Sequence, residues 1–378
     1  MTGEKKQSKK FLISAQISSS IFGFRFDLLK QIQKQGYEIY VIVPDEKNEE
    51  KFKQNNFHRI IIPYDRHSTN PKEILNNLQK YVDVLAEIKP DMILAVTLKP
   101  IICTAYAAKK LKISELYSMV SGLGRVYNRG LTGVKNKAVK TICNNLYKIA
   151  FRQNKKVFFQ NSDDKNELVQ YGVLSESKCV VINGSGVNMD KYKKYPLPKE
   201  NRFLMVARPT KSKGTMDYFE AAKIVKKKYD DSEFVYIGGS TEDGQDSVTK
   251  DEIAKYVDVG IIEYIERTDD VYGYLKKCRY FVLPSYYREG VPHSILEALS
   301  VGRPIITLNT PGCKETLNGE NGLFAKEQNP QDLANQMIYL IEHPEAAQKM
   351  SEASFQLCKN KFDVKIVNEI MLKEMMIR

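Results

Sequence analysis

The 378-residue chain contains no tryptophan, only four histidines and only six cysteines. The cysteines (Cys103, Cys143, Cys179, Cys278, Cys313 and Cys358) are scattered, and none forms a C-x-x-C pair. That excludes the common zinc-ribbon and thioredoxin patterns and leaves core or surface thiols. The histidines (His58, His67, His293 and His343) show no ligand spacing. No apolar run is long enough to span a bilayer. The opening MTGEKKQSKK is polar and basic, and the apolar stretch behind it lacks the length and the cleavage site of a signal peptide. A cytoplasmic location is therefore expected. No G-x-G-x-x-G follows the first predicted strand, which disfavours an ordinary dinucleotide-binding fold. No short-period repeat points to a solenoid, and low-complexity segments are absent.

What is present is a soluble-type composition, 42% hydrophobic and 28% charged, in a length suited to two domains. The formal net charge of +12 calls for an anionic partner. Nucleic acid, anionic lipid and phosphorylated substrates all fit. Nucleic acid fits worst, because the chain has no zinc-finger or RNA-recognition signature and its aromatics do not interleave with the basic clusters.

Strand and helix patterns alternate almost throughout. FLISAQI, YEIYVIVP, HRIIIP, DMILAV, LYSMVS, KVFFQN and CVVING read as strands, and most are separated by helical periodicity. A charged, proline-bearing stretch, Asn188 to Arg202, interrupts the pattern and reads as a linker. The alternation then restarts with FLMVAR, EFVYIGGS, GIIEYI, RYFVLP and RPIITLN as strands. Helices are predicted from Met216, near Val248–Tyr256, near Val271–Cys278 and after Pro292. The class is α/β, with parallel sheets covered on both faces. The expected division is a first domain over 1–187, a linker over 188–202 and a second domain over 203–361. A last helix in 362–378 would pack on its own domain or cross back to the first. Two such doubly wound domains would face a central cleft, with ligands at the carboxyl ends of the strands.

Two loops stand at such carboxyl ends. VARPTKSKG follows FLMV and precedes a helix. Arg208 and Lys213 there offer a planar fork and a compact charge, a pair suited to a diphosphate, and Gly214 permits the turn. The plainer alternative is a basic loop on a basic protein. YREGVPHSILEALSVGRPII follows RYFVLPS. Gly290 allows close backbone approach, and Pro292 suits a first helical turn. Backbone N–H groups from Val291, His293 and Ser294 would point at an anion. Glu297, within the first two turns, would accept from paired hydroxyls such as a ribose diol. Glu289 would reach a sugar hydroxyl, since a carboxylate beside phosphate is unfavourable unless it hydrogen-bonds something. The plainer alternative is two solvated acids at a helix start, where acids are favoured.

Arg-x4-Lys-Gly followed by Glu-x7-Glu, with the turn of Pro311, Gly312 and Glu315, resembles the retaining glycosyltransferases of GT-B fold, family 4. FQNSDDKNEL, VINGSGVNMDKY, YIGG (with Gly238) and VSGLGRVY extend the resemblance over nearly the whole chain. The likeness is greatest to bacterial enzymes that add hexose or N-acetylhexosamine to lipid-linked sugars in capsule, O-antigen or protein-glycan pathways. It implies two Rossmann-like doubly wound domains and a UDP-sugar donor, with no cofactor. Arg208 and Lys213 would neutralise the leaving diphosphate, Glu297 would bind ribose, and Glu289 would lie near the transferred sugar. Gly238 would belong to the donor site. Asn183, Gly184 and Gly186 would end the first domain. Many members carry a glycine pair in the first strand–helix loop, where this chain has Gly23 alone, with Arg25 nearby to contact phosphate or acceptor. Where some relatives carry a histidine, VTLKP offers Thr97 and Lys99, which puts any acceptor-side base in doubt. No D-x-D triplet occurs, so the metal-dependent architecture finds no support.

The segment from Leu131 to Ser162 is rich in lysine and has no acid. On a helix, Val134, Ala138, Ile142, Leu146 and Ile149 share one face. Lys137, Lys140, Lys148 and Arg152 gather opposite, with Tyr147 and Phe151 among them. Exposed aromatics beside lysines would suit an anionic bilayer surface, where a lipid-linked acceptor resides. An ordinary core helix with a solvated basic face is the alternative. Two other functions compete with the transferase. The UDP-N-acetylglucosamine 2-epimerases share the architecture, but their acid and histidine set is not found here. A non-catalytic basic membrane-surface protein would be indifferent to Glu289→Ala and Lys213→Ala.

Overall fold

In the computed structural model, residues 8–65, 71–127, 133–239 and 246–377 are described. His67, Leu131, Thr132, Ser240 and the side chain of Lys135 lie outside them. The chain divides into two units, one of Met1–Val126, Gly130–Ser185 and Val367–Arg378, the other of Tyr127–Arg129 and Gly186–Ile366.

The first unit runs β1 (Lys9–Ser14), α1 (Ser18–Ser20), a π-helical turn (Ile21–Arg25), α2 (Phe26–Lys34), β2 (Tyr37–Val43), α3 (Glu49–Gln54), β3 (Phe57–Ile61), α4 (Pro71–Ile88), β4 (Met92–Val96), α5 (Leu98–Leu111), β5 (Leu116–Val120), α6 (Val134–Phe151), β6 (Lys156–Phe159), α7 (Ser162–Gln170) and β7 (Cys179–Val181). Its strands form one sheet in the order β3-β2-β1-β4-β5-β6-β7. Every described pairing is parallel. Ser14 pairs with Ala95, and Val96 with Met119, so the carboxyl ends of β1, β4 and β5 lie level. MILAV and LYSMV are buried along their whole length, as strands covered on both faces must be.

The second unit runs β8 (Arg202–Val206), α8 (Thr215–Lys226), β9 (Glu233–Ile237), α9 (Lys250–Val257), β10 (Glu263–Ile265), α10 (Val271–Lys277), β11 (Tyr280–Leu283), α11 (His293–Val301), β12 (Ile305–Leu308), β13 (Gly322–Ala325), α12 (Pro330–Glu342), α13 (Pro344–Leu357) and the start of α14 (Val364–Glu374). Its sheet is parallel, in the order β10-β9-β8-β11-β12-β13. The predicted helix near Val248 begins at Lys250 because Thr249 and Glu252 form a reciprocal capping box. The edge strand β13 was not predicted as a strand, and it is only partly buried.

The charged stretch Asn188–Arg202 holds no helix or strand before β8. It is tied to the second unit by Tyr192, which is buried in that core, and by Arg303. The fully buried Arg303 guanidinium donates to the carbonyls of Cys278 (2.9 Å), Pro196 (3.1 Å) and Tyr195. From Val367 onward α14 counts with the first unit, where Val367, Met371, Met375 and Ile377 join the core around Phe11, Ile13 and Leu94.

Candidate functional site

In the second sheet β8 lies between β9 and β11, so its chain connections depart to opposite sides and leave a crevice at the carboxyl ends. The loop after β8 carries Arg208 and Lys213, and the loop after β11 carries Glu289. The two loops are stitched together through Ser212, whose carbonyl accepts from the N–H groups of Tyr286 and Tyr287, each at 2.9 Å. Gly214 sits at φ +76°, and a Cβ there would lie 2.2 Å from the Pro284 carbonyl oxygen. Both facts restrict the position to glycine. Asp246 braces the first loop from behind. It accepts from the Ser212 N–H at 3.0 Å and from the Ser212 hydroxyl, and its own carbonyl accepts from the Lys211 N–H at 2.7 Å.

This stitching brings Lys213 and Glu289 together as an ion pair at 2.6 Å, with side chains only 13% and 12% exposed. The Ser285 hydroxyl donates to Glu289 Oε1 at 2.7 Å, and the Lys213 ammonium lies over the Tyr287 ring, 5.5 Å from its centroid. A charge pair so far from water persists only when its remaining valences are also met, and here a hydroxyl and a ring face meet them. Arg208 stays exposed on the same loop. The turn at Pro311 and Gly312 packs on the site backbone: a Cβ at Gly312 (φ +83°) would meet the Gly290 carbonyl oxygen at 2.0 Å. Thr310 donates to the Ser285 carbonyl at 2.9 Å. Below it, burial pushes the Cys313 thiol up to about 12, so this cysteine is inert at neutral pH.

α11 begins after Pro292 without a side-chain cap, so the positive end of its dipole is not offset by a capping oxygen. Val291 is buried just before it, and His293 and Ser294 are half-buried in its first turn. Glu297 lies one turn on, with Oε1 3.2 Å from His293 Nδ1. Burial pushes the Glu297 carboxyl up. The charge and hydrogen bond of His293, the Tyr192 hydroxyl and Lys191 outweigh it and hold the group below its usual value. Burial, then the Glu297 charge, raise the Tyr192 phenol in turn. Gly238 follows β9 and donates to the Ile265 carbonyl at 3.1 Å, at the same edge of the sheet. Tyr192, Ser285 and Asp246 were not singled out from sequence. Each acts by holding a functional side chain or its loop, a role with no spacing signature.

In the first unit, Gly23 lies in the π-helical turn after β1, and a Cβ there would meet nothing within 4 Å. Arg25, the last residue of that turn, is only 5% exposed. Lys99 is in the first turn of α5; its ammonium donates to the Asp65 carbonyl and lies 5.4 Å from the Tyr64 ring centroid. Thr97, just after β4, adopts φ +72° and ψ 164°, a region populated almost only by glycine and costing about 1–3 kcal/mol.

The predicted membrane face needs correction. Tyr147 and Phe151 are buried, at 4% and 1% exposure, and stack on each other with centroids 5.0 Å apart. Lys140 turns inward to Glu167, at 2.6 Å. Of the apolar residues predicted to share the opposite face, Val134 is 87% exposed, Ile142 56% and Ile149 61%, while Leu146 is half-buried. With them on the outer arc lie Ala138, Lys137, Lys148 and Arg152, all exposed. The reason is that α6 carries two apolar stripes, and the one bearing Cys143, Tyr147, Ala150 and Phe151 is larger and takes the interior. Among the described residues no helix is long and apolar enough to cross a membrane.

The architecture agrees with what the chain resembles. The sequence profile "Glycosyl transferases group 1" matches residues 189–357, and "Glycosyl transferase 4-like" matches residues 11–161. The chain is 30% identical over 339 residues, covering 86% of it and 87% of the relative, to the N,N'-diacetylbacillosaminyl-diphospho-undecaprenol alpha-1,3-N-acetylgalactosaminyltransferase of Campylobacter jejuni. It is 23% identical over 220 residues to the capsular polysaccharide biosynthesis glycosyltransferase CapM of Staphylococcus aureus, covering 54% of this chain and 57% of that one. The fold matches that of Anabaena HepE in complex with UDP-glucose, with TM-score 0.77 and 17% identity over 96% of this chain and 98% of that one. The chain belongs to the glycosyltransferases of GT-B fold, family 4-like.

Proposed function

We propose that this glycosyltransferase moves a hexose or N-acetylhexosamine from a UDP-sugar to a polyprenyl-diphosphate-linked sugar, with retention and without a metal ion. The observation that carries the reading is the Lys213–Glu289 pair, held where the loops after β8 and β11 are stitched together. Lys213 and Arg208 meet the charge that builds on the leaving diphosphate, supplemented by the start of α11. Glu289, steadied by Ser285, accepts from a hydroxyl of the transferred sugar, and Glu297 accepts from the ribose diol. The bond from C1 to the diphosphate oxygen breaks, and the acceptor oxygen bonds to C1 on the same face. The acceptor proton passes to the leaving phosphate. The relative from C. jejuni, whose name specifies a diphospho-undecaprenol acceptor, supports the choice of acceptor class. The exposed arc of α6, with Val134, Ile142 and Ile149 beside Lys137, Lys148 and Arg152, supports peripheral residence on an anionic membrane, at its cytoplasmic side.

The test is a donor screen. The purified chain is incubated with detergent-extracted membranes and a panel of UDP-, GDP- and ADP-sugars, with and without EDTA. Label should enter the lipid fraction from one UDP-sugar, EDTA should not stop it, and the new anomeric centre should keep the donor's configuration by NMR. Transfer from a GDP-sugar alone, an inverted product or loss of turnover in EDTA would each remove that part of the reading.

A further inference from the structure

Asn188–Arg202 has no helix or strand before β8, yet the part around Tyr192 is closely fastened. The Asn188 side-chain oxygen accepts from the N–H groups of Asp190 (3.0 Å) and Lys191 (3.1 Å), and the Asn188 carbonyl accepts from the Tyr192 N–H at 2.9 Å. An asparagine used in this way closes a turn on its own backbone. The Tyr192 carbonyl in turn accepts from the buried Ser300 hydroxyl, and the Tyr195 N–H donates to the Val301 carbonyl at 3.2 Å. The stretch is thereby laced to the last turn of α11, one turn beyond Glu297. The Tyr272 ring packs edge-on against Tyr192, with centroids 5.9 Å apart, and the Tyr272 hydroxyl donates to the Lys193 carbonyl at 3.2 Å.

Only 7% of Tyr192 is exposed, and its hydroxyl donates to the Glu297 carboxylate. His293 Nδ1, 3.2 Å from Oε1, is the second donor. An ionised carboxylate has about four acceptor directions. These donors meet two of them, and the hydroxyls of a ribose diol would fill the others. The donors do two things. They keep a buried carboxylate ionised against the effect of burial, and they restrict its rotation. A buried acceptor with preset directions discriminates, because a ligand without the hydroxyls leaves those directions empty.

We infer that Tyr192 is a positioning residue for the ribose end of the donor: its hydroxyl fixes the Glu297 carboxylate so that the site selects ribose over a sugar lacking the diol. This rests on the proposed ribose contact of Glu297 and assigns its selectivity to a residue outside the strand-end loops. A phenylalanine at the same place would keep the ring contacts and leave Glu297 able to turn.

The experiment is isothermal titration of the full-length chain with UDP and 2′,3′-dideoxy-UDP, which differ only in the diol. Wild type should prefer UDP by about 100-fold, as two hydrogen bonds to a charged group require. Tyr192→Phe should cut that preference to about 10-fold, by weakening UDP alone. Glu297→Gln should also lower the preference. Adding Tyr192→Phe to Glu297→Gln should then change neither affinity, since the tyrosine acts through the acid. Ser300→Ala, which releases the Tyr192 carbonyl from α11, should lower the preference in the same direction and by less. Equal weakening of both nucleotides in Tyr192→Phe, unchanged affinities in that variant, or an effect that persists in the Glu297→Gln background each overturns the inference. A wild-type chain that binds both nucleotides alike, or neither, instead overturns the ribose contact in the proposed function, so the two failures are told apart.

Discussion

At the scale of single residues, Lys213 and Glu289 bear the most weight, and substitution separates chemistry from folding. In the proposed reaction Lys213→Ala removes a cation from beside the leaving diphosphate, where a preorganised charge acts mainly on the transition state. Turnover should fall about 10²–10³-fold with a smaller change in the Michaelis constant for donor. Near-UV circular dichroism should be unaltered. Undiminished turnover would remove Lys213 from the site. Glu297 permits a test by pH. Its folded-state carboxyl is held low, so it contributes stability that is fully present above the unfolded value of about 4.3 and is lost as pH falls through the lower, folded value. The gap in melting temperature between wild type and Glu297→Gln should therefore shrink as the pH falls below about 4. Parallel curves down to pH 3 would show that the His293 and Tyr192 contacts do not favour the charged form. Both acids and Lys213 were legible in the sequence because strand-end loops declare themselves by what precedes and follows them. Arg25 was legible as a charge, but that no acid pairs with it among the described residues was not. Whether a guanidinium has a carboxylate partner depends on chain brought from elsewhere.

At the scale of elements, α6 shows where sequence periodicity stops short. Both of its stripes have helical spacing, and composition alone favours the aliphatic one as the inner face. Volume decided otherwise: two stacked aromatics with Cys143 and Ala150 fill the interior, and the smaller branched residues face out. The corrected face predicts a contrast. Ile142→Glu with Ile149→Glu should leave the melting temperature within a degree or two, since both side chains are more than half exposed. The pair should abolish most sedimentation with phosphatidylglycerol vesicles, because insertion of apolar groups and attraction to anionic lipid act together. Tyr147→Ala, by comparison, should cost about 3–5 kcal/mol of stability, as a buried aromatic does. Retained vesicle binding by the doubly acidic variant would take the membrane role away from this arc. The strands were easier to read than this helix. MILAV and LYSMV are apolar on both faces, so no choice of face arises.

At the scale of the whole molecule, the alternation of strands and helices foretold two parallel sheets. It left open which sheet the final helix serves, since an amphipathic helix at the end of a chain suits any apolar surface within reach. The packing answers in favour of the first unit. Val367, Met371, Met375 and Ile377 are each at most 7% exposed and sit in the core formed by β1, β2 and β4. Burying four such side chains is worth roughly 6–12 kcal/mol, against a total of about 5–15 kcal/mol for a typical domain. Removal of residues 364–378 should therefore unfold the first unit, although its sheet lies hundreds of residues away in sequence. The second unit loses little of its own core and should survive. Limited proteolysis would then cut rapidly within 8–185 and spare a fragment spanning most of 186–363. UDP affinity should persist in the truncated chain, because Lys213, Glu289 and Glu297 and their supports all lie in the surviving unit. A truncated chain that resists cleavage in the first unit would show that its sheet is stable without the closing helix, and that the helix serves another purpose.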